Sequence, residues 1–189
     1  MLAIRSLFAS MLTLGAATQS FAVDPASAVK PLPCTVVLGG GGTSIGDSKF
    51  DGMWHEINRR MTDALIAELR KQKFKAELVF STSPDAQERF TEVVLNMKLY
   101  DCAKVLQVTH ILNRGDQPSV DFEIVVFHVD ESKKPKKGDP HMGTVVGEYT
   151  KKYHYEFDEN FMKGSPSEMG VGYARDVIES GVLVRTAEQ

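Results

Sequence analysis

The sequence predicts a mixed α/β fold, one sheet with helices packed on it, in the order β-α-β-α-β-β-β-α. Three observations lead there. Trp54, Ile57, Met61, Leu65 and Leu69 recur every three or four residues, which is one apolar stripe along a helix. β-Branched runs stand on either side of that helix, so the chain opens with a β-α-β unit and its parallel, right-handed crossover. Later, three strand-like segments follow one another with only turn residues between them, as in an antiparallel meander. A single mixed sheet accommodates both halves.

Taken in order, Met1 to Ala22 reads as a secretory signal peptide. Arg5 supplies the positive start, Leu7 to Ala17 is mostly apolar but too short to span a bilayer, and Ser20 and Ala22 are small residues at −3 and −1 of a cleavage site. Residues 23–33 hold three prolines and read as an extended linker. The single domain is expected over 34–189. Cys34 to Leu38 is its first strand, followed by a glycine-rich loop from Gly39 to Ser48. The striped helix runs from Asp51 to about Gln72, its far face carrying Glu56, Arg59, Arg60, Asp63, Arg70 and Lys71.

Ala76 to Phe80 is the second strand. Ser83-Pro84 starts the next helix, with proline in the first turn where its missing N–H is harmless; Phe90, Val93, Val94, Met97 and Tyr100 form its apolar face. Val105 to Leu112, Ser119 to Val129 and Thr144 to Phe157 are the last three strands. The second of them alternates Val120, Phe122, Ile124 and Val126 with Asp121 and Glu123. Ser165-Pro166-Ser167-Glu168 is a capping-box pattern opening a final helix to about Ser180.

Composition narrows the function classes. The chain carries 22 basic and 25 acidic residues, and loss of Arg5 with the leader takes the formal charge from −3 to −4. Mild acidity argues against nucleic-acid binding. Two cysteines in an exported chain are expected to pair, and Cys34 and Cys102 each fall at the start of a strand. If those strands are parallel neighbours, the two sulfurs lie at one end of the sheet. The location that follows is periplasmic or secreted.

No motif fixes a reaction. Gly40, Gly41, Gly42, Thr43 and Ser44 follow a strand and precede a helix, where backbone N–H groups can hold an anion or small ligand. The plainer reading is a connection permissive because of its glycines. Gly46-Asp47-Ser48 resembles the opening motif of GDSL-type hydrolases, which would make Ser48 a nucleophile; the family's Gly-x-Asn-Asp block and late Asp-x-x-His are missing. The histidines at 55, 110, 128, 141 and 154 make no metal-ligand spacing, and His110 falls in phase with Leu106 and Val108 as a core residue would. Neither metal nor cofactor is expected. Lys133, Lys134, Lys136 and Lys137 form a basic loop that suits either a solvated hairpin tip or an anionic envelope polymer. Tyr149, Tyr153 and Tyr155 share one face of the last strand, as core beneath a helix or as a partner surface.

The pattern of Trp54 to Leu69 followed by Phe74 to Phe80, the strand entry Cys102-Ala103-Lys104-Val105-Leu106, and the hairpin from Val120 to Val125 and on to Val146 resembles one group of envelope proteins. That group holds the curli-secretion lipoprotein, the penicillin-binding-protein activator lipoprotein and the N-terminal domain of the Tol translocation protein. The resemblance spans most of residues 34–184 and lacks the lipid-anchor motif of most members. It implies a scaffold or partner-binding module of the bacterial cell envelope, acting through protein contacts, with no catalytic residues to carry over.

Overall fold

The computed structural model describes residues 34–40, 48–81, 83, 85–113, 116–130, 132 and 143–185. Within them, β1 (Cys34–Gly39), α1 (Ser48–Lys71), β2 (Lys75–Phe80), α2 (Ala86–Tyr100), β3 (Lys104–Asn113), β4 (Ser119–Asp130) and β5 (Thr144–Glu156) follow in turn; α3 (Glu159–Lys163) and α4 (Pro166–Glu179) close the chain. The five strands make one sheet in the order β2-β1-β3-β4-β5. β1 lies parallel to both β2 and β3, and β3, β4 and β5 are antiparallel neighbours.

The connections explain where the helices go. From β1 the chain moves to one side through α1, then returns past β1 through α2 to reach β3. Right-handed crossovers in opposite directions put their helices on opposite faces. On one face, Trp54, Met61, Leu65 and Leu69 of α1 join Tyr173, Ala174 and Val177 of α4 over Val37, Leu106, Val108, Phe122, Ile124 and Val126. On the other, Val93 and Met97 of α2 pack over Val36, Leu38, Val105 and Phe127, with Cys34 and Cys102 among them. One face therefore has two long helices and the other has one.

The helix stripe over α1 is realised, with Ile57 partly buried at its edge. Three local expectations are corrected. α2 begins at Ala86 rather than at Pro84, because Asp85 takes the cap and accepts from the amides of Gln87 (2.6 Å) and Glu88 (3.0 Å). Tyr100 stays exposed, since α2 ends there and Asp101 turns into the left-handed region. At α4, Pro166 does sit in the first turn, but the Ser165 side chain makes no cap bond. The short helix α3 is an addition, held by Asp158, whose carboxylate accepts from the Phe161 amide at 2.8 Å.

Candidate functional site

The parallel pairing of β1 with β3 brings Cys34 and Cys102 to one end of the sheet, where they form a disulfide. The Ala103 amide donates to the Cys34 carbonyl at 3.0 Å beside it. Of the glycine-rich loop, Gly40 is described. Its φ is +85°, and a β-carbon there would stand 2.3 Å from the Ser81 carbonyl oxygen, so the fold itself demands glycine at this point. Gly41, Gly42, Thr43 and Ser44 lie outside the described residues, as do Lys133, Lys134, Lys136, Lys137 and His141. Ser48 opens α1.

Among the described residues, His110, His128 and His154 have separate partners. His110 is buried between α1 and β3 with Nδ1 3.1 Å from Asn58 Nδ2. His154 meets the Asp121 carboxylate at 2.6 Å, and His128 meets Glu148 at 2.7 Å. The Asp121 carboxyl is held below its usual range by the Asn113 amide and by His154. Among the described residues no three His, Cys, Asp or Glu side chains are grouped to hold a metal ion, and no helix is long and apolar enough to cross a membrane.

The three tyrosines of β5 are half-buried against the core beneath α4. Tyr153 donates its hydroxyl to Asp176, and its ring lies 4.4 Å from that of Tyr173. Tyr173 donates to the Tyr155 hydroxyl at 3.3 Å. Burial raises the Tyr153 phenol well above the usual tyrosine range, and the Asp176 carboxylate adds to it.

The sequence reading missed a different cluster. Between Val126 and Phe127 the β4–β5 register slips: Val126 faces Tyr149 but Phe127 faces Gly147. Glu148 is the extra residue of this bulge, and a bulge re-aims its side chain. The Glu148 carboxylate binds both Lys104 Nζ and His128 Nδ1. Lys104 also donates to the Val182 carbonyl at 2.7 Å, tying the sheet to the segment after α4. Partial burial works upward on the Glu148 carboxyl, but the bonds to Lys104 and His128 outweigh it and hold it below the ordinary value.

Beside this cluster is a cleft of about 420 Å³ between α2 and the sheet. Val94, Met97, Val129 and Cys102 give it apolar walls; Lys98, Asp101, Lys104, His128 and Glu148 supply the polar ones. Leu95 and Leu99, the next positions round α2 from Val94 and Lys98, stand 60% and 74% exposed, one turn apart. Their i, i+4 spacing outside the buried stripe was the signal available in the sequence. Nothing in the alternation of β5 announces the bulge.

No family model matches the chain, and no curated protein matches it. Solved structures similar to it at low identity include three from bacteria. A hypothetical protein from Chlamydia trachomatis shares 11% identity over 79% of this chain and 95% of its own, with a TM-score of 0.37. A PelC dodecamer from Paraburkholderia phytofirmans shares 14% over 78% and 86%, with a TM-score of 0.36. A minor lipoprotein from Acinetobacter baumannii shares 14% over 82% and 96%, with a TM-score of 0.26. Likeness at this level says nothing about what the chain binds or does.

Proposed function

We propose that the chain is a non-enzymatic accessory protein of the bacterial cell envelope that works outside the cytoplasm by binding another protein, through the outer face of α2 and the cleft at its side. The observation that carries this reading is the exposure of Leu95 and Leu99 beside an apolar-walled cleft. Two large aliphatic side chains one turn apart, next to a concavity with a polar rim, suit a protein partner. The Cys34–Cys102 disulfide supports an oxidising compartment. The signal-peptide reading of residues 1–22 agrees with that compartment. Kinship with the curli-secretion and Tol-related group belongs to the same proposal and rests on the pattern of the sequence.

The test is a photo-crosslinking residue placed at Leu99 in the full chain, expressed with its own leader in a bacterial host and irradiated in intact cells. A discrete adduct is expected, absent when the crosslinker sits at Thr150 and lost when Leu95 is changed to Lys in the Leu99 probe. An adduct pattern identical at the two positions would reject the α2 face as the docking surface. Recovery of the unprocessed chain from the cytoplasm would reject the envelope reading.

A further inference from the structure

His110 is a titratable side chain enclosed in the core, 4% exposed, and Asn58 against it is 3% exposed. It projects from β3 on the face shared by Leu106 and Val108, under the N-terminal half of α1. Trp54 stacks on the imidazole with ring centres 4.9 Å apart and planes 19° apart, and Phe122 lies 6.2 Å away. Asn58 Nδ2 can only donate, so His110 Nδ1 accepts and the neutral ring carries its proton on Nε2. Nε2 is buried and has no hydrogen-bond partner among the described residues.

A second proton has no place in this arrangement. It would sit on Nδ1 and face the Asn58 amide hydrogens, donor against donor. The positive ring would have no acceptor at Nε2 either, inside an aromatic surround. We infer that His110 makes the seat of α1 on the sheet acid-labile: its protonation drives the ring out of the Trp54–Asn58 contact and releases the N-terminal half of α1, uncovering Phe122.

The surrounding groups agree in sign. Burial pushes the imidazole from 6.5 down to about 4, and His55 on α1 adds repulsion. Phe122 of β4 and, beyond Trp54, Phe157 and Phe161 bring rings but no charge. Asp121 and Glu123, which flank Phe122 in β4, alternate to the opposite side, where Asp121 binds Asn113 and His154 and Glu123 pairs with Lys152. Among the described residues, no carboxylate bonds the His110 ring to hold the imidazolium. The released ring regains its ordinary affinity for a proton. Between pH 6.5 and 4, acidification therefore favours the released state by up to about tenfold per unit, and the effect levels off at roughly 300-fold below pH 4.

Trp54 is the only tryptophan, so its emission maximum and its accessibility to acrylamide report on this seat. Both are followed from pH 7.5 to 4 in the mature chain, with the His110 imidazole titrated in parallel by proton NMR. The expected result is a reversible red shift and rising quenching inside that window, with far-UV circular dichroism largely kept. His110→Gln should flatten the window. Asn58→Asp, which offers the imidazolium an acceptor, should keep Trp54 stacked and raise the imidazole titration by a unit or more, and it serves if the glutamine variant does not fold. A Trp54 signal unchanged to pH 4 in the wild-type chain would overturn the inference. So would the same transition surviving intact in His110→Gln.

Discussion

At Gly170, α4 crosses α1 with no room for a side chain. A β-carbon there would stand 2.0 Å from the Met61 carbonyl oxygen and 3.1 Å from the Leu65 amide, both backbone atoms that cannot swing aside. Two residues on, a β-carbon at Gly172 would meet nothing within 4 Å. The same substitution should therefore have opposite signs in one helix. Gly170→Ala is expected to destabilise by about 1–3 kcal/mol or more through forced separation of the helices. Gly172→Ala should stabilise by up to ~1 kcal/mol, the helix-propensity difference. Urea unfolding followed by circular dichroism measures both; equal effects would mean that α1 and α4 are not in backbone contact. A second residue-scale test concerns Tyr153. Its hydroxyl binds Asp176, which also pairs with Lys151 at 2.8 Å. Tyr153→Phe should lower stability by about 1.5 kcal/mol, the range for a hydrogen bond to a charged group. If the tyrosines of β5 instead served only a partner, the variant would unfold at the wild-type urea concentration.

Elements show which parts of the molecule the sequence displays. The α1 stripe was legible because one face of a long helix is buried against a sheet, and burial imposes the 3.6-residue period directly. The alternation of β4 was legible for the equivalent reason, Val120, Phe122, Ile124 and Val126 all being fully buried. The bulge at Glu148 was not, because one extra residue in a strand leaves no periodic trace when its neighbours are Gly147 and Tyr149. The cleft cluster of Lys104, His128 and Glu148 depends on that slip and so was hidden with it. α3 was missed because five residues are too few to show a period. The disulfide was foreseen as a pair, and the β1–β3 register supplies the proximity. Its bond closes a loop with a sequence separation of 68 residues. Cys34→Ser with Cys102→Ser should lower stability by about 4 kcal/mol on chain-entropy grounds. Thermal melts of the double variant, compared with the wild type with and without reductant, check this. A reductant that leaves the wild-type midpoint unmoved at full reduction would show that the cross-link does not limit the unfolded chain.

At the scale of the molecule, the decisive asymmetry is in how the sheet is covered. β1 is flanked by β2 and β3, and Val36 and Val37, which point to opposite faces, are both fully buried. β3 is similar over Val105 and Leu106. Among the described residues β5 has one strand neighbour, and Thr144, Val145 and Gly147 at its first half are exposed. Lys151 and Lys152 and the bulge are also the devices by which natural sheets discourage pairing at an open edge. Local opening free energies should therefore fall from the centre of the sheet toward β5. Amides of Val36 to Leu38 and Val105 to Val108 are expected to exchange by global unfolding, and those of Thr144 to Val146 at least roughly a hundredfold faster through sub-global opening. Hydrogen exchange read by mass spectrometry at neutral pH resolves the two sets. Protection of Thr144 to Val146 equal to that of β1 would mean that the free edge of β5 is covered in solution, and a repeat over a range of protein concentrations would show whether a second copy covers it.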